Sequence, residues 1–381
     1  MRRRLFLQLT VFFGIALLCG MIEAQDSLAA KQINSADFSS LQAALDALGP
    51  GGGIVNIPPG VYEISAPLTL AVGDVTLRGS GTSTHFVNKN EAGEPGLLIA
   101  HPECKDPRTD RNKNLWRVQI SDLRITGNEK SGPGIEARQV NEIYINGVNV
   151  SENGGDGIFL NYCYEDPRIC DSLITYNKKN GVKLLGCHDI VVNGNQFEEN
   201  QDALLCSDSF NLCMNGNNLD DHLGHGVIIE NTYGSVLSGN MIEECNRTAI
   251  ILDRDCYGIT LSANVIAHNG AGIDLKDAHG CAVSANTFTI MKTRALSIGP
   301  KSGRIAVTGN NFSNSFIGDD NIKRQPMDAA AGGVLIDNAS HVTITGNVFS
   351  GLTETAVSLN GDRKSIIFES NVLVDVASDL D

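Results

Sequence analysis

The stretch that decides the fold runs from residue 226 to residue 273 and reads GVIIENTYGSVLSGNMIEECNRTAIILDRDCYGITLSANVIAHNGAGI. Within it, a small residue followed by an aliphatic one occurs three times at intervals of 23 residues, at Gly226-Val227, Ala249-Ile250 and Gly272-Ile273. The marker recurs in the same phase at Gly134-Ile135, Gly157-Ile158, Gly181-Val182, Ala203-Leu204, Ala295-Leu296, Gly333-Val334 and Ala356-Val357. One interval of 38 residues holds one period plus an insertion at about residues 313–332. This self-similarity predicts a solenoid of stacked repeats.

The residues between markers alternate with the period of a β-strand. In Gly272-Ile273-Asp274-Leu275-Lys276, the aliphatic side chains point one way and the charged ones the other. Period-two alternation excludes coiled coils and paired-helix repeats, which need a period of about 3.5 to 3.6 residues. We therefore predict an all-β fold, a single-stranded, right-handed parallel β-helix of ten or more turns of about 23 residues.

A second marker, Gly or Ala followed by Asn, runs in step with the first. It occurs at Gly194-Asn195, Gly216-Asn217, Gly239-Asn240, Ala263-Asn264, Ala285-Asn286, Gly309-Asn310 and Gly346-Asn347. Asparagine tolerates left-handed backbone and bonds to its own chain at turns, and stacked asparagines can also pair with each other. We interpret these residues as structural and assign them no chemistry.

Before the repeats, residues 37–48 have the apolar pattern of a short amphipathic helix, which Gly49-Pro50 ends. Such a helix would cap the open end of the solenoid and protect its edge. Residues 84–116 are irregular and charged, which predicts a loop at that end. We divide the chain into a signal peptide (1–24) and one β-helix domain (25–381). The domain comprises a cap with the first turns (25–117) and regular repeats (118–381).

The first 24 residues have the layout of a secretory signal. Three arginines, Arg2 to Arg4, precede an apolar run from Leu5 to Leu18, and Ala24 supplies a small residue for cleavage. The run is too short to span a bilayer. The sequence therefore predicts a secreted or periplasmic protein without a membrane segment once the signal is removed.

Charge and cysteine content narrow the partners and the chemistry. The formal net charge is −15, which argues against nucleic acid and requires a local basic patch or a bridging cation for an acidic polysaccharide. Of the ten cysteines, Cys19 leaves with the signal. Cys163 and Cys187 occupy equivalent places on neighbouring turns, where a disulfide is possible, but we expect most cysteines to be buried thiols.

The opening of the mature chain carries a family resemblance. The runs Asp37-Phe38-Ser39-Ser40-Leu41, Gly51-Gly52-Gly53-Ile54-Val55 and Pro58-Pro59-Gly60-Val61-Tyr62 look like the start of pectin-lyase-like proteins. The Gly-Ile and Gly-Asn turns resemble the β-helix repeat of that superfamily. The resemblance implies the fold and an action on polysaccharides, although the superfamily also includes members with no known activity.

The residues just before each small-aliphatic pair form what we term the first polar column. Its members are Asp156, Asn180, Asp202, His225, Thr248, Ala271 and Arg294. Asp156 and Asp202 are two turns apart, about 9.6 Å at the strand spacing, which is close to the carboxyl separation of inverting glycoside hydrolysis. His225 on the next turn is placed to orient Asp202.

Part of this column resembles polygalacturonases. Gly224-His225-Gly226 looks like their Gly-His-Gly motif, and Asp202 lies where their paired aspartates lie. Gln201 and Asn180 stand where that family has aspartates, so hydrolysis would require Asp156 as a substitute. The alternative is that these Asp and Asn residues are ordinary turn residues.

The outward side chains three places after each aliphatic residue form the second polar column. They include Asn161, Leu185, Ser207, Glu230, Asp253 and Lys276. Lys276 would be the base of a lyase and Arg254 would neutralise the uronate carboxylate, in a set that resembles chondroitinase-B-like lyases with reversed chain order. Glu230 and Asp253 are a possible Ca²⁺ site, as in pectate lyases. The alternative is a solvated charged face.

We expect Asn161, Asn180, Glu230, Asp253, Asp274 and Tyr233 to bind substrate. Tyr162, Tyr164 and Tyr257 follow the same strands as Tyr233 and favour a glycan groove. The leading hypothesis is a secreted enzyme that cleaves a polysaccharide, with β-elimination favoured over glycoside hydrolysis. A non-catalytic glycan-binding or scaffold protein is the alternative from another class.

A third enzymatic possibility is an epimerase. Tyr164-Glu165-Asp166-Pro167-Arg168 resembles the Asp-Pro-His stretch of alginate epimerases, with Arg168 in place of the histidine.

Overall fold

The computed structural model of the chain describes residues 30–313, 332–352, 354–374, 376 and 378. The predicted signal peptide and nearly all of the predicted insertion lie outside these residues and stay predictions. Within the described part, no helix is long and apolar enough to cross a membrane.

Three long parallel sheets run along the molecule, and most turns of the chain contribute a strand to each of them. The first sheet has 16 strands: Lys31–Asn34, Gly53–Asn56, Val75–Arg78, Val118–Ser121, Tyr144–Asn146, Arg168–Cys170, Val191–Asn193, Cys213–Asn215, Val236–Ser238, Cys256–Tyr257, Thr260–Ser262, Ala278–His279, Ala282–Ser284, Gly303–Thr308, Ser340–Thr345 and Ile366–Glu369. The second sheet has 13: Gly60–Ile64, Thr84–Asn88, Arg124–Thr126, Asn149–Ser151, Leu173–Thr175, Gln196–Glu198, Asn218–Asp220, Met241–Glu243, Val265–Ala267, Thr287–Thr289, Asn311–Ser313, Val348–Ser350 and Val372–Val374.

The third sheet contains the small-aliphatic markers. Its 12 strands are Leu68–Leu70, Leu97–Ala100, Ile135–Arg138, Ile158–Asn161, Asn180–Leu185, Asp202–Ser207, Val227–Glu230, Thr248–Asp253, Ala271–Leu275, Arg294–Ile298, Gly332–Asp337 and Val357–Asn360. A two-stranded sheet pairs Leu115–Trp116 with Val140–Asn141. The predicted parallel β-helix is confirmed, with about 14 turns.

The small residue of each marker lies where successive turns approach most closely. A Cβ atom on Gly272 would stand 2.1 Å from the carbonyl oxygen of Ala295 on the next turn. The aliphatic partner points inward, and Ile250 and Leu296 are fully buried. Phe288, Phe312 and Phe349 stack along the inner side of the second sheet, with ring centroids 4.8 Å apart and planes within 12° of parallel. Because inward and outward side chains alternate along each strand, the inward apolar side chains form one continuous core between the sheets.

The predicted structural role of the asparagines is confirmed. In each pair of neighbouring turns, the backbone N–H and the side-chain Nδ2 of one Asn both donate to the Oδ1 of the next, with Nδ2–Oδ1 distances between 2.9 and 3.0 Å. The ladder comprises Asn195, Asn217, Asn240, Asn264, Asn286, Asn310, Asn347 and Asn371. The left-handed backbone belongs to the preceding residue, such as Gly239 with φ 66°, rather than to the asparagine.

A second buried polar column lies between the second and third sheets. Asn153, Asn177 and Asn200 repeat the same bonding, and His222 then takes the asparagine position. The ring of His222 is fully buried, its Nδ1 accepts the backbone N–H of Asn200, and its Nε2 has no hydrogen-bond partner among the described residues. Burial lowers the pKa of His222 to about 4, so the ring is neutral in this column near pH 7.

The N-terminal helix forms but is shorter than predicted, spanning Leu41–Asp46. Ser40 accepts a hydrogen bond from the backbone N–H of Ala43 and caps the helix, which is why it begins there rather than at Asp37. The Gln42 side chain accepts from the backbone N–H of Thr69 and donates to its carbonyl oxygen. One amide side chain therefore pairs with the first strand of the third sheet as a neighbouring strand would.

The prediction of a continuous loop over residues 84–116 is wrong. Thr84–Asn88 and Leu97–Ala100 join the second and third sheets, so the irregular residues are confined to 89–96 and 101–114. The expectation of buried thiols is confirmed for most cysteines. All nine in the described part are free, eight of them are buried, and Cys163 and Cys187 do not form a disulfide.

Candidate active site on the outer face of the third sheet

The two predicted columns lie on either side of the solvent-facing surface of the third sheet, which we term the outer face. Between them runs a central column of the residues that follow each aliphatic, which sequence reasoning did not single out apart from Asp274. It consists of Glu136, Phe159, Lys183, Leu205, Ile228, Ile251, Asp274, Ser297 and Leu335. Mostly apolar side chains at its centre, flanked by polar columns, suit an amphipathic ligand.

Two predicted members of the first polar column bond to each other. Asp156 is only 5 % exposed, and its Oδ1 accepts both the backbone N–H of Asn180 at 3.0 Å and the side-chain Nδ2 of Asn180 at 2.7 Å. These bonds join neighbouring turns in the manner of the asparagine ladder. They leave Asp156 poorly placed to substitute as a catalytic carboxylate.

Asp202 and His225 are also on successive turns, but they meet differently from the prediction. Oδ1 of Asp202 accepts the backbone N–H of His225 at 2.6 Å, so the contact runs through the main chain rather than the ring. The backbone N–H of Thr248 donates to Nδ1 of His225 at 3.2 Å. A neutral His225 ring therefore carries its proton on Nε2 and acts as a donor there.

The electrostatic surroundings of His225 extend across the outer face. Burial lowers the pKa of His225, the charge of Asp202 opposes this shift, and Arg247 and Lys276 add to it. Lys276 lies two turns farther along the solenoid, yet its positive charge still lowers the pKa of His225. These groups form one electrostatically coupled set.

Arg254, the predicted neutralising residue, is bound to two carboxylates. Its Nη1 donates to Glu230 Oε2 and its Nη2 donates to Asp208 Oδ1, each at 2.8 Å. To meet a substrate carboxylate, Arg254 would have to leave these partners. A Ca²⁺ ion at Glu230 and Asp253 would likewise have to displace Arg254 from Glu230, and Asp253 Oδ1 accepts the backbone N–H of Arg254.

Asp274 and Lys276 line a cleft of about 260 Å³ at one end of this set. Ser297, Ile298, Gly299, Pro300, Leu335 and Asp337 complete its walls. Gly299 stands where the second polar column would place a side chain, which opens the cleft between Lys276 and Asp337. Burial raises the pKa of Asp274, while Lys276 lowers it and Asp253 raises it.

Among the cations on or beside the outer face, Lys183, Arg247 and Lys276 have no ion-pair partner within the described residues. Lys276 and Arg247 are exposed, and Lys183 lies over the ring of Phe159, with its Nζ 4.8 Å from the ring centroid. Elsewhere on this side, Arg254 is neutralised by its carboxylates. Lys276 thus adds an unpaired positive charge to a cleft that also contains Asp274 and Asp337, whereas Lys183 lies four turns away on the same face. Unpaired cations of this kind are what an acidic polysaccharide requires.

The remaining predicted residues are separated. Asn161 is half-buried at the start of the second polar column. Tyr233 lies beyond the third sheet, on the corner that leads to the first sheet. Arg168 of the epimerase-like stretch begins a first-sheet strand and so lies off the outer face.

Other features lie outside this face. A cleft of about 360 Å³ on the first sheet is lined by Asp74, Arg117 and Tyr144, and an ion pair between Arg117 and Asp74 lies in it. Carboxylates and a histidine converge within 4.8 Å in two groups, Asp255 with Asp277 and His279, and Asp220 with Asp221 and Glu244. Neither group includes the predicted Ca²⁺ ligands.

The geometry defines a parallel β-helix solenoid with a charged cleft on one sheet face. The model of the family described as "Right handed beta helix region" matches residues 109–240 and 174–312, and the chain belongs to this family. The predicted resemblance to the pectin-lyase-like superfamily is thereby confirmed. No curated protein sequence matches the chain.

Solved structures of the same fold include polysaccharide-active proteins. The A-module of the mannuronan C-5 epimerase AlgE6 from Azotobacter vinelandii is 17% identical, with a TM-score of 0.60 over 91% of this chain and 99% of the module. The family 28 exopolygalacturonase of Yersinia enterocolitica is 13% identical, with a TM-score of 0.51 over 92% of this chain and 78% of that enzyme. The catalytic unit of an α-1,3-glucanase from Streptomyces thermodiastaticus is 16% identical, with a TM-score of 0.54 over 93% and 69%. At these identities the similarity establishes the fold alone.

Proposed function

We propose that this protein is a polysaccharide-processing enzyme that binds an acidic glycan along the outer face and cleaves it by β-elimination at the Asp274–Lys276 cleft. The observation that carries the proposal is that Lys276, which is exposed and has no ion-pair partner within the described residues, lines the same cleft as Asp274, whose pKa is raised by burial. Export through residues 1–24 would deliver the enzyme to extracellular glycans. The β-helix enzymes of similar fold act on polysaccharides, which supports the substrate class.

The reaction follows from these two side chains. As the base, Lys276 removes the proton next to the uronate carboxylate. Asp274, in its carboxylic acid form, would donate a hydrogen bond to that carboxylate and stabilise the charge that develops on it. The electron pair forms a carbon–carbon double bond, the glycosidic C–O bond breaks, and the departing oxygen takes a proton from water. Asp274 thus takes the neutralising role predicted for Arg254.

Glycoside hydrolysis is the second candidate, because the same cleft contains two carboxyl groups. Asp274, with its raised pKa, would be the general acid, and Asp337 across the cleft would activate water. This pair replaces Asp202 and Asp156, whose oxygens are engaged in bonds between turns.

The test is incubation of the mature protein with pectate, alginate, chondroitin and neutral glycans, with and without Ca²⁺. Ultraviolet absorbance detects the unsaturated product of elimination, reducing ends detect any cleavage, and NMR detects inversion at the uronate without cleavage. We expect absorbance and reducing ends to rise together, and Lys276→Ala to lower the rate about 10²- to 10⁴-fold. Lys178→Ala, at an exposed lysine paired with Glu129 away from the cleft, is the matched control.

Two substitutions at Asp274 separate the reactions. Asp274→Asn keeps a hydrogen-bond donor and should retain much of a lyase activity that Asp274→Ala loses, whereas it should abolish hydrolysis because the amide cannot act as an acid. Reducing ends without absorbance would establish the hydrolase, and inversion alone would establish an epimerase. Silence across the panel would reject the enzymatic proposal in favour of a glycan-binding protein.

A further inference from the structure

Six successive turns carry an aromatic ring at the corner where the third sheet leads into the first. This aromatic column comprises Tyr164, His188, Phe210, Tyr233, Tyr257 and His279. Each ring follows the inward aliphatic of its turn by six residues, or by seven at Tyr257. Parallel bridges join the backbones of His188, Phe210, Tyr233 and Tyr257 in order, so the rings rise by one strand spacing per turn.

The column is not part of the core: its three tyrosines are exposed, and His188, Phe210 and His279 are half-buried. Tyr164 is 48%, Tyr233 42% and Tyr257 58% exposed. Within the described residues, none of the three tyrosine hydroxyls has a hydrogen-bond partner. The ring arrangement is uneven: Tyr164 and His188 are stacked at 5.0 Å, whereas Phe210 and Tyr233 meet edge to face at 4.6 Å. Neighbouring rings therefore contact one another along the solenoid, and the rest of each tyrosine ring is open to solvent.

We propose that the aromatic column is a second glycan-binding surface, which takes a neutral polysaccharide chain running parallel to the solenoid axis. Sugar rings have apolar faces edged by hydroxyls, and tyrosine offers an apolar ring with a polar tip. The rise of about 4.8 Å per turn is close to the length of one sugar unit in an extended chain, so successive sugars can meet successive rings.

The charges beside the column select an uncharged ligand. The cations there, Arg254 and Lys301, are paired with carboxylates, Lys301 with Asp277 at 3.9 Å. Asp255 and Asp189 add negative charge near the rings. A polyuronate would be repelled here, in contrast with the outer face, which carries unpaired Lys183 and Lys276. The two surfaces are therefore suited to different sugars of a mixed polysaccharide or of its surroundings.

The inference rests on the proposed function only in taking a polysaccharide as the ligand, and binding can be measured without turnover. Calorimetric titration of Lys276→Ala protein with oligosaccharides of glucan, xylan and galactomannan, and with oligogalacturonate, provides the test. We expect at least one neutral oligosaccharide to bind, with an affinity that changes little with salt because no charge is involved.

Substitutions in the column then locate the binding. The double variant Tyr233→Ala/Tyr257→Ala should weaken it about tenfold or more, as the loss of aromatic anchors does elsewhere. Phe at both positions should keep most of it, and Tyr176→Ala, which removes an equally exposed tyrosine on another corner, should leave it unchanged. If the double variant does not fold, Tyr257→Ala alone, at the most exposed ring, replaces it.

Absence of binding to every neutral glycan, or binding that the column variants do not weaken, would overturn the inference. Loss of column binding with uronate cleavage intact would support it independently of catalysis. Binding at the column by a protein that cleaves no glycan would refute the proposed reaction and would still support the aromatic column as a glycan-binding surface.

Discussion

Two columns of aromatic rings run along this molecule, and they follow opposite rules. Phe288, Phe312 and Phe349 in the core are identical, parallel and evenly spaced at 4.8 Å. The corner column mixes Tyr, His and Phe, and its centroid distances range from 4.6 to 5.7 Å with planes from 26° to 79° apart. Close packing forces each turn of a core to match the next. At a solvent-facing corner, close packing does not require the same residue on every turn, so the residues there can differ and can be suited to binding a ligand.

The largest expected effect comes from breaking the core column. Phe312→Ala should lower the free energy of unfolding by about 3 to 5 kcal/mol, because it removes a fully buried ring and leaves a cavity between two others. Urea denaturation followed by circular dichroism measures the change. Phe38→Ala, at a ring that is 36% exposed, serves as the control. An equal loss in both variants would contradict the distinction between core and surface rings.

The second prediction concerns His222, the buried ring that replaces an asparagine in the second buried polar column, and the pH dependence of stability that it causes. The pKa of His222 is about 4 in the folded protein and 6.5 for an unperturbed histidine. The unfolded chain therefore takes up a proton that the folded chain does not, so stability from this residue is present above pH 6.5 and falls as pH decreases towards 4. The loss amounts to about 3 kcal/mol.

His222→Asn would restore the ladder and should flatten the pH dependence of the urea midpoint between pH 6.5 and 4 relative to wild type. His341→Asn, at an exposed histidine, is the control and should track the wild type. A His222→Asn protein that still loses as much stability on acidification as the wild type would show that His222 is not the cause.

The smallest expected effect is at the corner. Tyr233→Ala should change the free energy of unfolding by less than about 1 kcal/mol, because the ring is 42% exposed and its hydroxyl has no partner in the described part of the chain. Thermal unfolding measures it alongside Phe312→Ala. A loss as large as that of Phe312→Ala would mean that the corner rings stabilise the fold rather than serve a ligand.

The fold could be predicted because the same signal recurs on many turns. Each small-aliphatic pair and each Gly-Asn pair favours the same backbone conformation at its place in the repeat. The register also placed Asp274 and Lys276 on one face correctly. What the register does not contain is the reach of long side chains across turns. Arg254 bonds to Glu230 and Asp208 on earlier turns. The spacing of residues in the sequence does not predict which carboxylates a long side chain will reach.

The aromatic column was detectable only in part. Its tyrosines stood out as sugar-binding residue types, whereas Phe210 and the two histidines between and beside them did not. The common signal is the sixth position after the aliphatic, and an extra residue before Tyr257 obscures it. That residue is accommodated by two consecutive left-handed conformations, Arg254 with φ 56° and Asp255 with φ 61°.

The amide of Gln42 has a consequence for how these molecules can associate. A parallel sheet offers its free edge strand as a template to any other chain with exposed backbone. At the N-terminal edge of the third sheet, the Thr69 backbone already donates to and accepts from Gln42. Another copy of the solenoid therefore cannot lengthen the third sheet from that side without first removing the helix. The outer face, which is proposed to bind the glycan, therefore begins at the same strand, Leu68–Leu70, in every molecule.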